Sequence, residues 1–97
     1  MFLAKREVFE WLKNGKKTID IRKGKPRSQK IALFVCGHLR LKMKIVNIHS
    51  GGLREVLHQG NFRQVIPSAT NLEDALSYLR TIYNDDSGFY TAYTVEL

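Results

Sequence analysis

The spacing of apolar residues near the N-terminus predicts a helix followed by a strand. Within Lys5–Leu12, Val8 and Leu12 recur at the 3.6-residue period of an amphipathic helix. Gly15 follows soon after, and glycine readily takes the left-handed conformation that ends helices. Polar and β-branched residues then alternate over Thr18–Arg22, which predicts a strand with one face in water and the other in the core.

Two longer strands are predicted in the middle of the chain. A basic loop, Lys23–Gln29, leads into the nearly continuous apolar run Lys30–Cys36, which is typical of a strand buried on both faces. The next strand, Leu39–Ile48, alternates in its first half, so its cations and its apolar residues point to opposite faces. The cations are Arg40, Lys42 and Lys44, and the apolar residues are Leu39, Leu41, Met43 and Ile45. Such a row of cations is either a solvated strand face or a binding surface.

The second half of the chain is predicted to be mostly helical until its last strand. A helical turn at Leu53–Leu57 precedes an irregular segment, Asn61–Ser68, whose apolar residues are expected in the core. A longer helix begins at Thr70, because Thr70 and the glutamate three residues later have the spacing of a capping box. A loop over Asn84–Gly88 and a closing strand over Phe89–Leu97 complete the prediction.

This order of elements predicts an α+β fold, a small mixed β-barrel with two to three helices. Helices inserted between strands, with a terminal strand available to close the sheet, favour a barrel over a sandwich. The 97 residues suffice for one domain, over residues 1–97, with one hydrophobic core. The segment Met1–Glu7 lacks the apolar stretch of a signal peptide, and the sequence contains no apolar run long enough to span a membrane. The predicted location is therefore the cytosol.

Charge is distributed unevenly between the two halves of the chain. Residues 1–50 carry thirteen Lys and Arg against three acids, a net +10, whereas residues 51–97 carry three Arg against six acids, a net −3. Clustered cations favour a polyanionic partner, because they release the counterions that surround phosphates. A generally basic soluble surface is the alternative explanation.

One segment near the N-terminus carries a family signature. Gly15–Arg22 (GKKTIDIR) resembles the pattern G-x-K-x-x-E-x-R of the ASCH domain, with Asp20 in place of the usual glutamate. Two later regions are also similar to small ASCH proteins, namely Asn61–Pro67 with Leu72–Leu76, and Gly88–Tyr90. The resemblance to the ASCH family therefore spans nearly the whole chain.

The resemblance implies a PUA-like β-barrel with a cleft beside the signature strand, and it implies binding of RNA. One small branch of the family hydrolyses the acetyl amide of N4-acetylcytidine with a lysine, a threonine and a glutamate. Lys17 matches the lysine of that branch, but Asp20 stands where those enzymes carry the threonine. No acid lies near Pro67–Ser68, where the glutamate is expected. Binding is therefore favoured, and hydrolysis stays an alternative in which Lys17 and Asp20 are catalytic.

Strand geometry brings the signature residues together. Thr18, Asp20 and Arg22 occupy alternate positions, so their side chains project from the same face of the strand. Asp20 and Arg22 are then close enough to pair or to bind one ligand between them. Lys17 precedes the strand, where an ammonium group can hold a phosphate or polarise a carbonyl. A purely structural, exposed Asp–Arg pair is the alternative.

The other chemistry-bearing residues indicate neither a metal site nor a cofactor. The three histidines lack the spacing of metal ligands, and a single cysteine, Cys36, which is predicted to be a buried structural thiol, excludes a cysteine cluster. The chain also lacks the glycine-rich fingerprints of ATP and NAD sites. Tyr90 or Tyr93 on the last strand either borders the cleft or packs inside the barrel.

The leading hypothesis is an RNA-binding module with a basic cleft, whose partner is RNA or a nucleotide-like anion. The residues predicted to bind phosphates are Lys16, Lys17, Arg22, Lys23, Lys25 and Arg27. Asp20, with Thr18 beside it, is predicted to accept a hydrogen bond from a base or a ribose hydroxyl. The alternatives are a small amidohydrolase or nuclease that acts through Lys17 and Asp20, and a protein-interaction domain that uses the acidic C-terminal half.

Overall fold

The structure, a computed structural model, describes residues 1–83 and 88–97. Within them the strands are β1 (Phe2–Leu3), β2 (Ile19–Lys23), β3 (Ile31–Cys36), β4 (Leu39–Gly51) and β5 (Tyr90–Glu96). The helices are α1 (Arg6–Lys13), α2 (Leu53–Val56), α3 (Phe62–Val65) and α4 (Leu72–Tyr83). Most of the predicted loop Asn84–Gly88 falls on residues 84–87, which lie outside the described residues. In the described part of the chain no helix is long and apolar enough to cross a membrane.

The five strands form one sheet in the order β1-β3-β4-β5-β2. β1 runs parallel to β3, and every other neighbouring pair is antiparallel. The sheet curls into a half-barrel, and its seam is open because the edge strands β1 and β2 do not pair with each other within the described residues. This architecture confirms the predicted small α+β fold and is consistent with a PUA-like barrel. The described residues contain four helices rather than two to three, because the segment predicted to be irregular includes the single turn α3.

Two clusters of buried side chains lie on opposite faces of the sheet. On the face that α1 covers, which we call the α1 face, Phe34, Met43 and Tyr93 pack against Val8 and Leu12. On the opposite face, α2, α3 and α4 cover mainly the part formed by β2 and β5, whose buried residues there are Ile19, Ile21, Tyr90 and Ala92, and α2 also contacts β4. Strands β2 and β5 are therefore buried on both faces, whereas β3 is covered by a helix on one.

Three burial predictions are wrong. Asp20 is only 4% exposed, because the polar side of β2 lies on the α1 face beside Tyr93 rather than in water. Ile31 is 50% exposed, because α1 covers only the other face of β3. Cys36 is half-buried at the margin of the cluster beneath α1. The sequence pattern distinguishes the two faces of a strand but does not show which layer covers each one.

Phe2 connects the two edges of the open seam. Its ring is fully buried and meets the rings of Phe34 and Tyr93 edge-on, at centroid distances of 5.3 and 5.1 Å. Two guanidinium groups lie over the same ring, that of Arg22 from β2 at 5.0 Å and that of Arg27 at 4.5 Å. Cations over an aromatic face are attracted by its quadrupole. Side chains thus hold β1 and β2 together where backbone hydrogen bonds do not.

Helix α4 begins two residues later than the capping-box prediction placed it. Asn71, rather than Thr70, caps the helix, because its side-chain oxygen accepts a hydrogen bond from the backbone N–H of Asp74 at 2.9 Å. The Asp74 carboxylate in turn accepts from the backbone N–H and the hydroxyl of Thr70. Asn71 thus caps the helix, and Asp74 bonds back to Thr70, the residue before the cap, so the predicted capping box between Thr70 and Glu73 does not form.

Replacing Phe2 tests how far the seam contributes to stability. Phe2→Ala is expected to lower the free energy of unfolding by about 3–5 kcal/mol, the usual cost of truncating a buried phenylalanine. Phe2→Leu keeps most of the apolar volume but loses the ring that faces the two guanidinium groups, so we expect a loss of about 1–2 kcal/mol. Urea unfolding measures both, with Leu3→Ala as the control at the exposed neighbouring position. Equal stability of Phe2→Leu and the wild-type chain would contradict this account of the seam.

Candidate nucleic-acid interface

A cavity of about 110 Å³ opens at the seam between β1 and β2. Lys17, Asp20 and Arg22 form its floor. The connection from β1 to α1 forms one wall, and the C-terminal half of α4 forms the other. We call this cavity the seam cleft. The seam cleft lies where the sheet does not close. Asp20 and Arg22, which are on the α1 face of β2, therefore line it.

Asp20 and Arg22 form a two-point ion pair on the floor of the seam cleft. The Nε and Nη2 atoms of Arg22 donate to the two carboxylate oxygens of Asp20 at 2.6 and 3.3 Å. Burial opposes the guanidinium charge, but the nearby Asp20 carboxylate outweighs it, so the pKa of Arg22 is raised. The side chain of Arg22 remains 21% exposed, whereas that of Asp20 is 5% exposed. Arg22 is thus the member of the pair that faces the opening.

Lys17 is a buried cation beside this pair. It is 3% exposed, and its Nζ atom donates to the carbonyl oxygen of Val65 at 2.5 Å. Its backbone N–H donates to the carbonyl oxygen of Trp11 at 3.0 Å, which fixes the chain just after α1 ends. Burial, against an opposing effect of Asp20 and with a smaller contribution from Arg22, lowers the pKa of Lys17 to about 8. The ammonium group therefore remains largely protonated at neutral pH but titrates close to it.

Two tyrosines of α4 complete the walls of the seam cleft. The hydroxyl of Tyr83 donates to the carbonyl oxygen of Ile21 at 3.1 Å, which satisfies a backbone acceptor of β2. The hydroxyl of Tyr78 donates to Glu7 at 2.6 Å, and the Nζ atom of Lys5 lies 5.4 Å from the centre of its ring. Burial and the contact with Glu7 raise the pKa of Tyr78. Both rings are thus held in place by their own hydroxyl groups.

The structure places the eight predicted site residues in three settings. Lys17, Asp20 and Arg22 line the seam cleft. The predicted phosphate-binding residues Lys16, Lys23 and Lys25 are exposed outside it. The remaining two, Thr18 and Arg27, are not among the residues that line the seam cleft.

Thr18 and Arg27 lie beside the seam cleft without lining it. Thr18 is half-buried, and its Oγ1 atom is the buried side-chain oxygen without a hydrogen-bond partner in the described part of the chain. Arg27 lies over Phe2 and donates from Nη1 to the carbonyl oxygen of Met1 at 2.9 Å. Its guanidinium group therefore joins the loop after β2 to β1, which is a structural role in the free protein.

Sequence reasoning missed the contribution of α4 to the site. Tyr78 and Tyr83 wall the seam cleft, although the pattern after Thr70 predicted a helix and no part of the site. The one signal in the sequence is the residue type, because a tyrosine combines an apolar ring with a hydroxyl that needs a partner, and both rings are partly buried against the core. Tyr90 and Tyr93, the aromatic candidates on the last strand, are fully buried and pack inside the fold.

Comparisons with known proteins identify the fold but not a family. No family model and no curated protein matches the chain. The fold is similar to that in the crystal structure of hypothetical protein PH0355, with a TM-score of 0.78 and 20% sequence identity, over 98% of this chain and 94% of that one. At this identity the likeness extends to the fold alone. The chain is therefore a small α+β half-barrel with a charged cleft at its seam.

The buried ammonium group of Lys17 gives a testable dependence of stability on pH. Its pKa is about 8 in the folded chain and 10.5 ordinarily, so between these values the unfolded chain binds more protons and stability rises with pH. We expect the wild-type chain to gain up to about 3 kcal/mol in free energy of unfolding relative to Lys17→Met between pH 7 and 10.5. Lys16→Met is the control, because it removes an ammonium group that water already surrounds. Parallel stability curves for wild type and Lys17→Met would refute the assignment.

Proposed function

We propose that this protein binds RNA, with one nucleobase in the seam cleft and the neighbouring phosphates on the basic residues at its rim. One observation carries the proposal: Lys17, Asp20 and Arg22, three charged residues of the signature segment Gly15–Arg22, converge on the floor of a single open cavity. The resemblance to ASCH domains, for which RNA binding is expected, supports the same interpretation.

The walls of the seam cleft suit a flat ring. Tyr78, Leu79 and Ile82 present aromatic and aliphatic surface to the opening. Any of the nucleobases can stack on such surfaces, because every base has a π-face. At about 110 Å³, the cavity is smaller than the roughly 300–1,000 Å³ of pockets that enclose whole drug-sized ligands. It therefore takes one ring and leaves the sugar and phosphate at the rim.

The floor of the seam cleft offers mainly hydrogen-bond donors. Of the five N–H groups of Arg22, two donate to Asp20 in the described contacts, which leaves three for a ligand. Of the three N–H groups of Lys17, one donates to Val65. Both oxygens of Asp20 already accept from Arg22. The complementary ligand group is therefore an acceptor, such as a base carbonyl or ring nitrogen.

The basic residues around the opening supply the phosphate contacts in this proposal. Lys5 belongs to the wall itself, and Lys16 and Lys25 are exposed nearby along the chain. Residues 1–50 carry a net +10, so the surface around the cleft attracts a polyanion before any base enters. Salt is expected to weaken this attraction steeply.

A second candidate function, hydrolysis of N4-acetylcytidine, is favoured by one observation. Lys17 is a buried lysine whose pKa is lowered to about 8, and such lysines serve as bases or nucleophiles near neutral pH. Against it, Asp20 is already engaged by Arg22, and Thr18 does not line the seam cleft. Hydrolysis therefore ranks below binding.

The RNA-binding proposal is tested by titrating the protein with single-stranded and structured RNAs at low and moderate salt. Lys17→Ala and Arg22→Lys are each expected to weaken binding about 10- to 100-fold, because each removes charge-assisted or two-point hydrogen bonds. Arg22→Lys is preferred to Arg22→Ala because it leaves a cation beside the buried Asp20 carboxylate. Arg54→Ala, an exposed arginine on α2, is the control. Unchanged affinity in both cleft variants, with unfolding curves that show a folded chain, would refute the proposal.

The hydrolase alternative is tested on the same samples. Incubation with N4-acetylcytidine, followed by chromatography of cytidine and acetate, distinguishes the two functions. The binding proposal predicts RNA affinity without deacetylation. Deacetylation that is lost in Lys17→Ala and kept in Lys16→Ala would instead establish the enzyme.

A further inference from the structure

We propose that an RNA strand held in the seam cleft continues across the uncovered face of β1, β3 and β4, where its phosphates meet Arg40, Lys42 and Lys44. We call these three cations the β4 row. The inference rests on the proposed function, since it starts from a nucleotide in the cleft, and it extends that function to a longer stretch of RNA.

The strand register aligns the β4 row with an apolar strip on β3. Arg40 lies opposite Val35, and Lys42 and Lys44 lie opposite Leu33 and Ile31. Residues directly opposite one another point to the same face of the sheet. Alternate residues on a strand are about 7 Å apart, so the row presents evenly spaced cations along a straight line. An extended polyanion is the ligand whose charges repeat in the same way.

The face that carries the β4 row is open at Ile31 and Leu3, whereas Val35 on the same face is 7% exposed. The side chains beneath α1 on these strands, Phe34 and Met43 among them, are the ones at the alternate positions. Ile31 is 50% exposed, and Leu3 on β1, in register with Val35, is 68% exposed. Exposed aliphatic surface at Ile31 and Leu3 beside a line of cations suits the sugar and base faces of a nucleic acid next to its phosphates.

The charges of the β4 row are largely uncompensated. Lys42 and Lys44 are exposed and form no ion pair within residues 1–83 and 88–97, the described part of the chain. Arg40 donates from Nη1 to the carbonyl oxygen of Gly37 at 2.9 Å, which fixes its position at the turn. Glu96 stands opposite Lys44 at one end of the row. The row therefore keeps a net positive charge, which favours a phosphate backbone.

Leu3 joins this face to the seam cleft. It lines the cleft, and its register with Val35 places it on the same face as the β4 row. The distance from β1 across β3 to β4 is two strand spacings, or about 10 Å. A chain that leaves the cleft over Leu3 thus reaches the row within about one or two nucleotides. This continuity favours RNA over an acidic peptide, which has no counterpart to the base in the cleft.

The test compares a mononucleotide set with a mixed-sequence 12-nucleotide RNA. The variant Arg40→Gln/Lys42→Gln/Lys44→Gln is expected to bind mononucleotides as the wild type does and to bind the 12-mer more weakly. Its slope of log affinity against log salt is expected to be smaller by about 2, since each single-strand phosphate contact contributes about 0.7. The control, Lys13→Gln/Arg54→Gln/Arg63→Gln, carries the same charge change at exposed positions on α1, α2 and α3.

The outcomes separate this inference from the proposed function. Loss of 12-mer affinity in the β4-row variant, beyond that in the control, supports the path across the sheet. An identical salt slope and affinity in both variants would overturn it, even when Lys17→Ala abolishes binding and the cleft proposal stands. Binding of the wild type to anionic lipid vesicles or to an acidic peptide, lost in the β4-row variant while 12-mer binding is kept, would also overturn it.

Discussion

Arg22 is the residue on which both the fold and the site depend. It sits on β2 with its guanidinium group between two partners, the Asp20 carboxylate at 2.6 Å and the Phe2 ring at 5.0 Å. The first contact neutralises a buried carboxylate, and the second connects the two edge strands that the backbone leaves apart. A half-barrel with an open seam needs such a connection, because unpaired edge strands otherwise separate or recruit another strand. The same guanidinium group donates to Asp20 through two of its N–H groups, and Arg22 also lines the cleft.

The site is costly to the fold, which is expected of a functional cleft. Lys17 is held with its charge largely out of water, and burial lowers its pKa to about 8. The Oγ1 atom of Thr18 is buried and without a partner in the described residues. Apolar groups at such positions would give a more stable chain, because the attraction that a buried charge gains rarely exceeds the free-energy cost of its desolvation. Polar groups concentrated at one seam therefore support the proposal that the seam binds a ligand.

Much of the fold follows from the sequence, and most of the site's surroundings do not. Helix α1, the alternation of β4 and the helical pattern of α4 depend on local periodicity, so they could be predicted. The side-by-side placement of Asp20 and Arg22 follows from strand geometry, whereas Thr18, predicted beside them, does not line the cleft. The burial of Asp20 depends instead on a layer contributed by α1 and β5, and the tyrosine walls come from a helix more than fifty residues away. Such long-range packing cannot be predicted from the spacing of neighbouring residues in the sequence.

Entry of an RNA nucleobase into the seam cleft is tested most directly by a nuclear magnetic resonance titration of the ¹⁵N-labelled chain. The Nε–H signal of Arg22 reports on the floor of the cleft, because this group donates to Asp20 in the free protein. We expect a short RNA to shift this signal, and the backbone signals of Lys17 and Tyr83, in a saturable manner. RNA binding that leaves these three signals unchanged would contradict the account.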